Sequence, residues 1–247
     1  MRRIKIQLSY DGTDYHGWQV QPGLTTIQGT LEEVISGIEG KPVQVAGSGR
    51  TDAGVHALAQ VAAFSIENPI PVENIARAMN RLLPRDIRVT RAEEANPDFH
   101  PRFQAKAKTY EYRIFRDEIC PPFERRYVYH HPYPLRVEEM IEVAPLLEGE
   151  HDFAAFAASD SRDDSGASKV RTIFCSRLAQ ESDRLIYRVT GSGFLKHMVR
   201  NIAGVLLETG KGNVDRAGFL ARLVPGNAIS PGPTAPARGL FLISVEY

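Results

Sequence analysis

Hydrophobic periodicity switches between two and about 3.6 along residues 3–92, and the order of those switches most constrains the fold. Ile4, Ile6, Leu8 and Tyr10 share one face of an extended segment, as in a half-buried strand. Thr25 and Gln28 have capping-box spacing, and Ile27, Leu31, Val34, Ile35 and Ile38 then recur at helical intervals until Gly40. Residues 41–46 and 57–66 read as strands. Val72, Ile75, Met79, Leu82 and Leu83 stripe a helix that Pro84 stops, and residues 87–92 return to a strand. The order is βαββαβ.

The second half repeats it less cleanly. A strand is expected over 108–116, then a helix striped by Val137, Met140, Ile141, Ala144 and Leu147. Strands near 170–178 and 185–190, a helix from Phe194 and a last strand over 240–245 follow. An extra helix at 214–223 and two loops, 159–168 and 226–239, interrupt the unit. The expected class is therefore α+β: two ferredoxin-like halves, residues 1–105 and 106–247, in a mainly antiparallel sheet with helices on one face. A central cleft between the halves would hold an active site, with the loops placed to close on a ligand.

Composition removes several function classes. Of 247 residues, 43% are hydrophobic and 24% charged, which suits an ordinary soluble core and argues against disorder. Thirty Lys and Arg balance thirty Asp and Glu, so a nucleic-acid site must be a local patch and not a bulk polycation. Cys120 and Cys175 allow one disulfide at most, pointing to a reducing compartment. No signal peptide and no 18-residue apolar run are evident, so the expectation is a cytoplasmic protein without a membrane partner.

Residues 46–57, Ala-Gly-Ser-Gly-Arg-Thr-Asp-Ala-Gly-Val-His-Ala, are the most informative segment. Gly47, Gly49 and Gly54 directly follow an apolar strand and allow a close approach that bulkier residues would block. The segment is neither a P-loop nor a nucleophile elbow, since both frames are missing. Arg50 and Asp52 stand two apart, so in an extended chain they share a face and can pair. That pair fits two roles: an ion pair bracing a turn, or a guanidinium holding a catalytic carboxylate ionised and aimed.

The segment Gly49–His56 resembles the catalytic signature of the tRNA pseudouridine synthase A family. Four further segments are similar to family motifs and come in family order across almost the whole chain. They are Tyr10-Asp11-Gly12-Thr13 with Gly17-Trp18-Gln19; Phe99-His100-Pro101-Arg102-Phe103 with Lys108-Thr109-Tyr110-Glu111-Tyr112; the run from Phe194 through Ile202; and Gly239-Leu240-Phe241-Leu242. The resemblance implies isomerisation of uridine to pseudouridine at positions 38, 39 and 40 of the tRNA anticodon stem-loop. It also implies a homodimer that uses no cofactor and binds tRNA. The family's catalytic aspartate falls on Asp52, its active-site tyrosine on Tyr110 and the neighbouring arginine on Arg50. A motif arginine expected near the carboxylate falls on Arg200.

These residue types suit the reaction. The glycosidic bond must be broken, the uracil turned and rejoined through C5, so the base has to leave its stack. A carboxylate can attack C1' or C6, and Tyr110 offers a ring for stacking and a hydroxyl for proton transfer. Arg77 and Arg81 lie one helical turn apart, followed by Arg85, Arg88 and Arg91, as a possible phosphate-docking patch; Lys196 and Arg200 are expected on one helix face. His130, His131, His151 and Asp152 show no zinc-type spacing, so no metal site is expected. Aspartyl phosphoryl transfer at Asp52 lacks a second carboxylate in the loop, and a noncatalytic RNA binder would have no need of Asp52 there.

Overall fold

The computed structural model describes residues 1–159, 168–227 and 229–247, so most of the loop expected at 159–168 lies outside the described residues. The chain is α+β, its strands paired mostly antiparallel, and its contacts form two units: Met1–Lys106 with Phe241–Tyr247, and Ala107–Leu240.

The first unit runs β1 (Arg2–Tyr10), α1 (Ile27–Glu39), β2 (Ala46–Gly47), β3 (His56–Ile66), α2 (Val72–Leu82), β4 (Ile87–Ala95). β1 is antiparallel to both β3 and β4, with Ile4 opposite Phe64 and Glu94. Ile4, Ile6 and Leu8 are wholly buried, as their alternation requires. Burying each such side chain contributes roughly 1.5–3 kcal/mol. Ile35 and Ile38 of α1, Phe64 and Ile66 of β3, and Ile75 and Met79 of α2 line one small apolar gap, so both helices cover the same face of this sheet.

Two local expectations shift. The cap of α1 is Thr26, not Thr25: its hydroxyl accepts the Gly29 amide at 3.2 Å, and Gly40 closes the helix in the left-handed region. The strand expected over 41–46 shrinks to Ala46–Gly47 because α1 takes its amides. Val43 N–H donates to Ser36 Oγ (2.9 Å) and Val45 N–H to Glu32 Oε1 (3.0 Å). Both valines are still buried, which produces the strand-like alternation without a strand. The short β2 pairs with one end of β3, and β10 (Leu240–Glu246) lies parallel to the other end, with Phe241 opposite His56.

The second unit comprises β5 (Ala107–Phe115), β6 (Tyr129–His130), α3 (Val137–Val143), β7 (Gly149–Asp152), β8 (Val170–Glu181), β9 (Arg184–Gly191), α4 (Met198–Gly210) and α5 (Arg216–Leu220). Its strands lie in the order β5-β9-β8-β7, all antiparallel, with β6 parallel to the end of β5. The helix expected through Leu147 ends at Val143 and tightens into a 3-10 turn at Ala144–Leu147, where Pro145 withholds an amide. The helix expected from Phe194 begins at Met198 because His197 adopts φ 59°, outside the helical region. The extra helix is also shorter, Asp215 capping α5 through the Gly218 amide at 2.7 Å.

Candidate active site

Asp52 sits half-buried in the loop between β2 and β3, flanked by buried Thr51 and Val55; Arg50 is exposed on the same loop. The loop is braced from within. Ser48 N–H donates to Val61 O (2.8 Å) and Ser48 Oγ to Gln60 Oε1 (2.5 Å), while Gln60 Nε2 reaches back to Gly49 O (3.1 Å). Gln60 is fully buried, so its amide orders the loop without solvent competition.

The turn after β1 braces the loop from the other side. Trp18 N–H donates to Thr51 O (3.0 Å), Gly54 N–H to Tyr15 O (3.3 Å), and the Tyr10 hydroxyl bonds Thr51 Oγ1 at 2.8 Å. Within the loop, Val55 N–H donates to Asp52 O at 3.1 Å. Two glycines make this closeness possible. A Cβ on Gly12 would collide with the Val55 carbonyl, and one on Gly17, whose φ is +87°, would lie 2.6 Å from Thr51 O. The Trp18 indole occupies the space where a Gly47 side chain would stand. Burial pushes the Tyr10 phenol up to about 12, with bonds to Thr51 and Gln60 opposing, so at neutral pH it remains an uncharged brace. Gly12, Gly17, Trp18, His56 and Gln60 were not assigned roles from sequence. The signal was the pair of glycines either side of Thr13–His16, which matches a turn pressed against another backbone.

Tyr110 lies on β5 opposite Val189 of β9, 8% exposed, its ring edge-on to Phe194 with centroids 5.1 Å apart. Arg200 projects from α4, an element in contact with β5. Its Nε donates to Ala235 O (2.8 Å), and Ala235 N–H returns a bond to Arg200 O (3.1 Å). Thr234 Oγ1 to Asn201 Oδ1 (2.7 Å) and Tyr112 Oη to Pro236 O (2.8 Å) fix the same segment. At least one guanidinium donor of Arg200 therefore holds backbone. Asp52 and Arg50 thus share one loop of the first unit, while Tyr110 and Arg200 lie on neighbouring elements of the second.

Lys196 does not share a helix face with Arg200. It precedes α4, and its Nζ donates to Ser159 O at 3.1 Å. Of the arginine cluster, Arg77, Arg81 and Arg85 are exposed, Arg88 folds onto the carbonyls of Pro84 and Ile87, and Arg91 pairs with Glu93 at 2.8 Å. Leu82, placed in the α2 stripe, is 60% exposed. His130 Nε2 and His151 Nε2 each meet a backbone carbonyl at 2.9 Å. Among the described residues no three His, Cys, Asp or Glu side chains gather to hold a metal, and no helix is long and apolar enough to cross a membrane.

A carboxylate on a loop tied by backbone and buried amide bonds is suited to covalent attack, because its position is fixed before a substrate arrives. Residues 7–104 and 143–247 match the family described as tRNA pseudouridine synthase. A protein of Solibacter usitatus named tRNA pseudouridine synthase A is 67% identical over the full length of both chains. Proteins of the same name from Geotalea uraniireducens and Caldicellulosiruptor saccharolyticus are 43% and 41% identical, again over both full lengths.

Proposed function

Since the chain belongs to the tRNA pseudouridine synthase family, we propose that it converts uridine to pseudouridine at positions 38, 39 and 40 of the tRNA anticodon stem-loop. The chain is an isomerase acting on uridine in tRNA. The observation that carries the site reading is Asp52, held on a loop braced by Gln60, Trp18 and Tyr10 within the matched region.

In this reading the target uridine is extruded from its stack. The Asp52 carboxylate attacks C1', displacing N1, or adds to C6, after which the bond from N1 to C1' breaks; the uracil turns, C5 joins C1', the bond from the Asp52 oxygen to C1' or C6 breaks to release the free carboxylate, and the C5 proton is lost while N1 gains one. The nucleophile and the proton-transfer group in this reading are side chains of the protein, and no electrons are gained or lost, so the reaction as proposed proceeds without a cofactor. Tyr110 stacks on the base and assists removal of the C5 proton. Arg50 holds the substrate or the carboxylate, and Arg200 the substrate, by charge-assisted bonds. Replacing Asp52 with Asn keeps the loop's shape and removes the nucleophile. Turnover should vanish while tRNA affinity stays within about threefold, since the lost interaction belongs to the transition state. Multiple turnover by Asp52→Asn would refute the assignment.

The working unit is a two-fold homodimer, in which a chain of this size gains a surface broad enough for a much larger tRNA.

A further inference from the structure

We propose that His56 is a positioning residue for Asp52, acting through the amide of Gly12; the inference rests on the reading of Asp52 as the nucleophile. His56 opens β3, four residues after Asp52, and is 1% exposed. Its Nδ1 lies 3.1 Å from the Gly12 amide, which donates to it, and 3.2 Å from Asp11 Oδ1. One ring nitrogen cannot serve both neighbours: to accept from Gly12 it must carry a lone pair, and to donate to Asp11 it must carry a proton. Asp11 Oδ1 has donors in the Thr13 amide (3.0 Å) and hydroxyl (2.5 Å). The Gly12 bond therefore fixes His56 with Nδ1 as acceptor and its proton on Nε2.

That bond reaches Asp52 in two steps. Gly12 is pressed against the Val55 carbonyl so closely that a Cβ would not fit, and the Val55 amide donates to Asp52 O at 3.1 Å. The ring itself is stacked on Phe241, centroids 4.7 Å apart and 24° from parallel, which sets the direction of Nδ1. Losing the acceptor would leave a buried amide facing carbon, and the turn would move off the loop to find another partner.

Packing and positioning separate in two variants. His56→Phe keeps a ring to stack on Phe241 and removes the acceptor; His56→Asn loses the ring and returns an amide oxygen near the place of Nδ1. Single-turnover rates at saturating tRNA, with folding checked by circular dichroism, should fall about 10²-fold for Phe, as for a small displacement of a reacting group. The Asn variant should recover to within about tenfold of the parent, and tRNA affinity should stay within about threefold in both. A Phe variant as fast as the parent, or an Asn variant as slow as Phe, overturns the positioning role. So does a loss that appears in affinity and not in rate. Asp52→Asn runs beside them: if it turns over, the reading of Asp52 has failed, which is a different result from parent-like His56→Phe with inactive Asp52→Asn.

Discussion

The proposed mechanism asks two chemical roles of one side chain, Tyr110. Its ring is nearly buried against Phe194, so Phe at this position keeps the packing, whereas Leu removes both ring and hydroxyl. Stacking on a base contributes about 1–3 kcal/mol, and a general acid-base group about 10² to 10⁴ in rate. Proton transfer is the role that requires tyrosine specifically. Both variants should therefore be nearly inactive in single turnover on a defined anticodon stem-loop while still binding it. A Phe variant within about tenfold of the parent would assign Tyr110 to stacking alone. At this scale the glycines around an Arg-x-Asp single out the loop, while the role proposed for Asp52 comes from the family resemblance. The sequence did not reveal Gln60, whose buried amide ties Ser48 to Gly49, since a lone glutamine in an apolar strand carries no periodic or spacing signal.

Elements were legible where one face alone was buried. β1 and α1 have one apolar face each and lie within a residue or two of their expected bounds. β2 and the start of α4 were not legible, for opposite reasons. Val43 and Val45 alternate like strand residues while their amides are held by Ser36 and Glu32, and His197 breaks a pattern whose apolar residues continue upstream. The segment between β6 and α3 carries a pH-sensitive group. His131 is 5% exposed, and its Nε2 has no hydrogen-bond partner among the described residues. Burial holds its pKa below the ordinary 6.5, helped by the charges of Arg116, Lys211 and His130 and opposed by Glu208. Above that value both folded and unfolded chains carry it neutral. As pH falls through it the unfolded chain takes up a proton first, so stability drops, by at most about 1.4 kcal/mol per pH unit, and levels off below the folded pKa. Melting temperatures between about pH 7 and pH 5.5 should fall more for the parent than for His131→Phe. Equal slopes would mean that another group titrates there. The carboxylates Glu111 and Glu208, held low by their Arg188 and Lys211 partners against burial, act only at more acid pH.

For the whole molecule, the βαββαβ order of the first unit followed from periodicity, but its neighbours in space did not. β10 comes last in the chain and pairs with the start of β3, where the chain leaves the Asp52 loop. Periodicity assigns a residue to a face and carries no information about which distant strand lies alongside. Assembly is likewise outside periodicity. Light scattering should give twice the mass of one chain at working concentration, and a monomer mass would remove the proposal that one tRNA is bound across two subunits. The central claim is that this chain makes pseudouridine in the anticodon stem-loop. Incubating the purified protein, without added cofactor, with an unmodified tRNA transcript and mapping carbodiimide-dependent reverse-transcription stops tests it directly. Stops at positions 38, 39 or 40, wherever a uridine stands there, are the predicted result; a transcript with no new stop, or with stops only elsewhere, would contradict it.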